Sequence, residues 1–344
     1  MSSGAFSSEV ESSEVHQYPN LFDAPVVRRV QGVHRYVGRA QERRLNKAFE
    51  IDLPDAPEPA IRAALEPASI AAGIAIYDVG QGNCNAILNE SGYPSLYFDV
   101  GGGVAQNRHT FPAALQRFCV QQVEQTIVLS HWDHDHWSSA VRFHELQKLR
   151  WIIPRQRLGG KHAAFLSSLR AKAGEANVLV WPEHLSHLQV GDVTVIRCSG
   201  PRTDRNRSGL ALIIEPKHRN LRKRVLLPGD CPYRYIDAGA DAYTSLVVSH
   251  HGGRTDRRKT AAVPRSDGDS CGRLVYSVGS GNSYNHPLPD VMASHAASWG
   301  TSRLTTKRRG KVGLGHVHLY WDNADPDIQL LCGGTGCDLV CYQR

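Results

Sequence analysis

The stretch VLSHWDHDHWSS, residues 128–139, carries five ionisable side chains in six consecutive positions, His131, Asp133, His134, Asp135 and His136, directly behind an apolar run. On an extended backbone His131, Asp133 and Asp135 point to one side, because successive side chains alternate. Crowded carboxylates repel, and burying them costs desolvation energy; a divalent cation removes both penalties. Two imidazoles and two carboxylates on one loop are enough to begin a two-metal site. The plainer alternative is a solvated loop of mixed charge.

Three more apolar runs end in groups of the same kind. RVLLPGD ends in Asp230, placed to bridge two cations, and SLVVSHHGG ends in His250 and His251 ahead of two glycines that admit close backbone approach. YSVGSGNSYNHP ends in Asn282, Tyr284 and His286. Repeated termination of apolar runs in His or Asp argues for one shared site, because loops on a rigid sheet are where polar groups converge.

The elements that must hold these ends read as short strands alternating with amphipathic helices from Gly73 onward. IAIY, CNAIL, SLYFDV and QTIVLS supply the strands before the charged loop; WII, NVLVW, VTVIRC, LALIIE, RVLLPG, SLVVSH, RLVYSVG and HVHLYW follow it. Helices are expected over 111–123, over SSAVRFHELQKL with Ser138 or Ser139 as cap, over 163–173 and over 289–299. The pattern suggests mostly antiparallel sheets packed together with helices outside.

At 344 residues and 41% hydrophobic the chain can build a full core, and no apolar run reaches the roughly 18 residues a membrane helix needs. Residues 1–70 look different: a Ser/Glu-rich start, a basic stretch and the proline-spaced IDLPDAPEPA suggest an extension, partly disordered or docking a partner, before a domain over 71–344. The polar N-terminus does not read as a signal peptide, and eight cysteines without Cys-x-x-Cys spacing read as reduced thiols, so a cytoplasmic location is expected. A net charge of +7 leans toward polyanionic partners. Cys332, Cys337 and Cys341 are expected to be core thiols, and His295, His316 and His318 structural histidines.

The motif order DVGQGN, FDVGGG, LSHWDHDH, LLPGD, SHHGG, SVGSGNSYNHP resembles the metallo-β-lactamase superfamily, and within it the hydrolase domain of the bacterial competence DNA-uptake protein, over about residues 73–320. The resemblance implies an α/β fold, a four-layer αββα sandwich with the metals at one edge, here with an N-terminal extension. It implies metal ligands at His131, Asp133, Asp135, His136, Asp230 and His250, with neighbouring His251 as the alternative late histidine. Asp78 and Asp99 match bracing aspartates, and His286 a histidine near the substrate. Two positions depart from the pattern: Asn83 stands where an acidic residue is common, and the superfamily's middle histidine ligand has no clear counterpart near RNRSGLALII. Asp133 in place of an imidazole hardens the site, favouring manganese or magnesium, with zinc compatible.

These features lead to the expectation of a hydrolase with two divalent metal ions, cleaving phosphodiesters in nucleic acid or a nucleotide-derived substrate through a metal-bridging hydroxide. Asp135 would orient the nucleophile, His286 or His251 would protonate the leaving group, and Asn282, Tyr284, Arg254, Arg257 and Arg258 would meet the substrate. A metallohydrolase of carboxylic esters, lactones or amides, and a non-catalytic partner-binding protein, are the alternatives.

Overall fold

The computed structural model describes residues 14–17, 26–29, 50–120, 125–217, 222–239, 242–255, 262–270, 272–300, 303–306 and 315–321. Strands β1 (Glu14–Gln17) and β2 (Val26–Arg29) form an antiparallel pair. The first large sheet has the order β18-β3-β4-β5-β6-β7-β8, from β3 (Gly73–Ile76), β4 (Cys84–Leu88), β5 (Pro94–Val100), β6 (Thr126–Val128), β7 (Arg150–Ile153), β8 (Val178–Val180) and β18 (Val317–Tyr320). The second has the order β17-β16-β14-β12-β11-β10-β9, from β9 (His187–Val190), β10 (Val193–Arg197), β11 (Leu210–Ile214), β12 (Val225–Leu227), β14 (Ser245–Val247), β16 (Leu274–Tyr276) and β17 (Arg303–Thr305). Between them in sequence, β13 (Ala242–Tyr243) and β15 (Arg265–Ser266) make a small parallel pair.

Alternation along each strand explains the layering. In β3 and its continuation, Ile74 and Ile76 face one core while Ala75 and Tyr77 face another. In β11, Leu210, Leu212 and Ile214 join the first of these and Ala211 and Ile213 a third. The core holding Ile74, Phe98, Val128, Leu212 and Leu227 therefore lies between the sheets. Phe165, Leu166 and Leu169 of the helix Gly160–Ala173 cover the outer face of the first sheet, and Trp299 of the helix Pro289–Trp299 covers that of the second. Helix, sheet, sheet, helix is the four-layer αββα order that the motifs implied.

Strand direction departs from expectation. The sheets are mixed, each changing from antiparallel to parallel part-way across. β3, β4 and β5 run antiparallel and β5 through β8 parallel, while β9 through β12 run antiparallel and β12, β14, β16 and β17 parallel. Short apolar runs do not encode direction; the helices and long loops between them do.

The helix expected over 111–123 does not form in its described part, which is irregular after a 3-10 turn at Ala105–Thr110. The helix after the charged loop breaks into Ser139–Arg142 and a 3-10 segment His144–Lys148. Ser138 and Ser139 do not cap it, because their hydroxyls donate to the carbonyls of Gly102 and Gly101 instead.

The boundary at residue 70 also moves. Ile51 and Leu53 pack into the outer core of the first sheet, and the helix Glu58–Leu65 sends fully buried Ile61 and Leu65 into the core between the sheets. Arg155 ties the proline-spaced segment down through Asp55 at 2.8 Å and the carbonyls of Ile51 and Leu53. Prolines there set an extended path across a packed surface; they do not mark a linker. Cys84, Cys198 and Cys231 are free, but Cys119 is disulfide-bonded, against the expectation of uniformly reduced thiols, which spacing alone could not test. Cys332, Cys337 and Cys341 lie outside the described residues. No described helix is long and apolar enough to cross a membrane.

Candidate metal centre

Parallel neighbours deliver their C-terminal ends to the same edge of a sheet. β5 and β6 lead into Asp99 and the loop from Ser130 to His136, and β12, β14 and β16 lead into Asp230, His250–His251 and the 277–286 loop. At that edge Asp230, almost wholly buried, divides its two oxygens. Oδ1 lies 3.2 Å from His136 Nε2 and 3.6 Å from His251 Nε2; Oδ2 lies 3.7 Å from both His131 Nε2 and His250 Nε2. Asp135 Oδ2 is 3.4 Å from His251 Nε2, and Asp133 Oδ2 is 3.5 Å from His131 Nε2.

The imidazoles are aimed by partners on their other nitrogens. His136 Nδ1 donates to Asp99 Oδ2 at 2.7 Å, and His251 Nδ1 donates to the carbonyl of Ser277 at 2.9 Å. His131 Nδ1 lies 3.0 Å from the Ser130 hydroxyl, which itself donates to Asp99. Asp99 also accepts from the Ser130 backbone N–H and from Asn83 Nδ2. The residue that broke the sequence pattern, Asn83, thus braces the brace. Fixing Nδ1 in this way leaves Nε2 as the free donor atom, which is how metal-binding histidines are oriented.

The loop sits where only glycine lets it. The Asp135 carbonyl accepts from the N–H groups of Gly102 at 3.1 Å and Asn83 at 3.2 Å, and a Cβ on Gly101 would overlap that same carbonyl. GQG and GGG are therefore the seat of the charged loop. Asp78 serves a neighbouring segment, accepting from Gly315 N–H at 3.0 Å, and His316 Nδ1 accepts from the Asp78 N–H.

The charges support one another. Burial would raise the Asp230 carboxyl, but His136, His251 and His250 outweigh it and hold it well below the usual range. Burial would also raise Asp135, and the neighbouring imidazoles of His251 and His136 outweigh it and lower it. Burial would lower His136 and His251, yet Asp230 with Asp99 and Asp135 respectively raises both. Such mutual stabilisation by protons is what a cation would replace.

Nε2 of His131, His136 and His251 and Oδ1 of Asp230 are buried and make no hydrogen bond. Orphaned buried donors and acceptors of this kind are costly unless something else satisfies them. His131, His136 and Asp230 converge as one possible ligand group, and Asp135, His136 and His251 as another. The residues present thus fit a divalent metal centre.

No protein-family description matches the chain, and no curated protein matches its sequence. Among solved structures it is similar to Zn(2+)-bound PqqB from Methylobacterium extorquens, at 13% identity over 70% of this chain and 100% of that one, TM-score 0.36. It is also similar to an isothiocyanate hydrolase from Delia radicum gut bacteria, at 11% identity over 67% of this chain and 95% of that one, TM-score 0.35. A third is a possible metal-dependent hydrolase from Veillonella parvula, at 10% identity over 69% and 96%, TM-score 0.34.

Of the residues expected near the substrate, His286 stands beside the centre, its ring centroid 5.6 Å from that of His250. Burial, together with the charges of His251 and His250, lowers its pKa to about 4, so it is neutral near pH 7. Tyr284 is exposed, with its ring 5.5 Å from that of His286. Asn282 turns inward: its amide donates to the carbonyls of Gly279 and His286 and accepts from the His286 N–H, which shapes the loop. Arg254 pairs with Asp290 at 2.8 Å, and Arg257 and Arg258 lie outside the described residues. His251 donates from Nδ1 to the Ser277 carbonyl and turns Nε2 toward Asp135 and Asp230, at 3.4 and 3.6 Å, within the candidate ligand group. His295 is structural, bonded to Tyr233 and the Val291 carbonyl.

Two residues went unnoticed in the sequence. Arg205 Nε donates to Asp133 Oδ1 at 2.6 Å, and Gln81 Nε2 lies 3.4 Å from His286 Nδ1. Gln81 sits in the quoted GQG and could have been asked what its side chain does. Arg205 lies 72 positions from Asp133, and nothing local announces that pairing.

Proposed function

We propose that the protein is a metal-dependent hydrolase of phosphodiesters. The observation that carries the metal-dependent part is the two-sided Asp230 with three histidine Nε2 atoms buried around it and otherwise unsatisfied. The phosphodiester part is supported by the net charge of +7 and by the competence-type motifs. Bound there, divalent cations (zinc or manganese, with magnesium also admitted) supply a water of lowered pKa and polarise the oxygens of the scissile group.

The chain's own residues do the rest. Asp135 holds one side of the centre and presents a carboxylate to the nucleophile. Gln81 and the Asn282-shaped loop hold His286 at the rim, where its neutral imidazole, with Nδ1 facing the Gln81 amide, can donate a hydrogen bond from Nε2 to a substrate oxygen. Tyr284 offers an exposed ring against which a base or other flat group can rest.

The test is turnover of bis(p-nitrophenyl) phosphate, single-stranded DNA, RNA and cyclic dinucleotides against p-nitrophenyl acetate and lactones, each before and after chelation. Chelator-sensitive turnover of the phosphodiesters, restored by manganese or zinc, is expected. Turnover confined to the acetate and lactones would move the reading to carboxylic ester hydrolysis, and no turnover by metal-loaded protein would favour a binding role.

A further inference from the structure

Resting on the metal-dependent reading, we infer that Tyr233 is a positioning residue for His251: its hydroxyl, oriented by His295, anchors the strained turn that aims His251 at the candidate ligand group. His250 and His251 both adopt left-handed conformations, with φ of 53° and 56°. Side chains rarely take that region, and successive non-glycine residues stay there only where the surrounding structure over-determines the backbone. The turn delivers His251 Nε2 to 3.4 Å from Asp135 and 3.6 Å from Asp230, while Nδ1 donates to the Ser277 carbonyl. How the turn is held therefore decides where His251 points.

The hold comes from the segment around Asp230. The Ser249 N–H donates to the Tyr233 hydroxyl oxygen at 3.1 Å, and the Ser249 hydroxyl donates to the Cys231 carbonyl at 2.8 Å. The His250 N–H reaches the Gly229 carbonyl at 3.2 Å. The carbonyls of Gly229 and Cys231 belong to the backbone and any residue would supply them, whereas the acceptor for the Ser249 N–H is a side-chain oxygen that only tyrosine provides here. Ser249 is buried, so water is poorly placed to replace that oxygen.

His295 sets the direction of the Tyr233 hydroxyl. Its Nδ1 donates to the Val291 carbonyl at 2.8 Å, so Nε2 of the neutral ring is an acceptor, and the Tyr233 O–H donates to it at 2.9 Å. Burial lowers the pKa of His295 and raises that of Tyr233, which keeps the imidazole neutral and the phenol protonated near pH 7. With its proton committed to His295, the Tyr233 oxygen turns its lone pairs to the Ser249 N–H. His295 lies in the helix Pro289–Trp299, and the N–H of Leu288, just before that helix, donates to the Gly252 carbonyl at 3.0 Å. One helix thus fixes the turn at both ends, directly at Gly252 and through Tyr233 at Ser249.

The experiment compares the full-length wild type with Tyr233→Phe, which removes the hydroxyl and keeps the ring. Chelator-stripped protein is titrated with zinc against a fluorescent chelator, and the visible spectrum of the cobalt-loaded protein reports the geometry of the ligands. Tyr233→Phe should bind zinc about tenfold more weakly and shift the cobalt spectrum, as loss of a bond supporting a ligand does. His295→Leu should reproduce both changes, and the double variant should be no weaker than either single one. His295→Gln, whose side-chain oxygen can accept from the Tyr233 hydroxyl, should recover wild-type affinity. The His295 pair carries the test should Tyr233→Phe not fold. A merely structural role would lower the melting temperature of the metal-free variants and leave zinc affinity and cobalt spectrum as in wild type, and that result would overturn this assignment alone. Wild type that binds neither zinc nor cobalt would overturn it together with the metal-dependent reading beneath it.

Discussion

The Nδ1 of His136 donates to Asp99 across 2.7 Å, and neither side chain has any exposed surface. Asp99 itself adopts φ 62° at the end of β5, so the chain bends to put its carboxylate there. The same carboxylate holds Ser130, which in turn meets His131. One aspartate therefore aims two of the imidazoles that face Asp230.

Asp99→Asn should for that reason cost metal affinity before it costs anything else. An amide presents a competing donor to His136 Nδ1–H and weakens the orientation of Nε2. Losing such a supporting partner typically costs about 10–100-fold in metal affinity. Competition against a fluorescent chelator would measure it, and unchanged affinity would reduce Asp99 to a packing residue.

Gly101→Ala places a methyl group where the Asp135 carbonyl stands. The loop has to move, and the hydrogen bonds from Gly102 and Asn83 to that carbonyl stretch with it. Lower metal affinity together with a melting temperature several degrees below wild type is expected; a variant with wild-type metal binding would show that the loop is not seated there.

Leu65 is fully buried between the sheets, so Leu65→Ala should destabilise by about 2–5 kcal/mol. A chain beginning at Gly73 loses Ile61 and Leu65 together and should melt far below the full-length protein. Limited proteolysis should spare DLPDAPEPA, because Arg155 holds that segment to the domain. Rapid cleavage there would restore the reading of a linker.

The titration of the centre predicts opposite pH trends with and without metal. His136 and His251 have raised pKa values, so their charged forms contribute stability that is fully present below the usual histidine pKa of about 6.5 and is lost as pH rises through the raised values. Asp135 and Asp230 are lowered, and their contribution is lost only as pH falls through their depressed values. Metal-free protein should thus melt progressively earlier as pH climbs above about 6.5, while zinc, which needs the neutral imidazoles, should restore stability most at the alkaline end. Thermal melts across pH 5–9 with chelator or zinc are the check; parallel curves would contradict the coupling.

Much of this was legible in the sequence because strand ends and donor residues are local. HWDHDH, LLPGD and SHHGG each end or follow an apolar run, so both the strand and its terminal His and Asp groups are visible together. The unbroken apolar runs IAIY and LALII likewise mark strands that bury both faces. What stayed hidden depends on distant pairs. Arg205 with Asp133, and Gln81 with His286, are set by how the sheets stack. The burial of residues 51–65 was hidden for the same reason: its prolines read as a spacer until Arg155 and the core between the sheets are seen. Asn282 shows the converse error, a polar residue at a site edge whose amide is spent on its own loop.

The central claim is that Asp135, His136, His251 and Asp230 hold a metal that performs hydrolysis. The most direct measurement is bound metal, turnover of bis(p-nitrophenyl) phosphate and a melting curve on Asp135→Asn beside wild type. The substitution keeps the shape of the side chain and removes the charge that faces His251. Loss of metal with a fall in kcat of at least about 10²-fold is expected, since positioning and charge stabilisation each supply several kcal/mol. The fold should survive, because its cores lie within the sandwich and Asp135 belongs to none of them. A variant that melts like wild type, keeps its metal and turns over at the full rate would contradict the account.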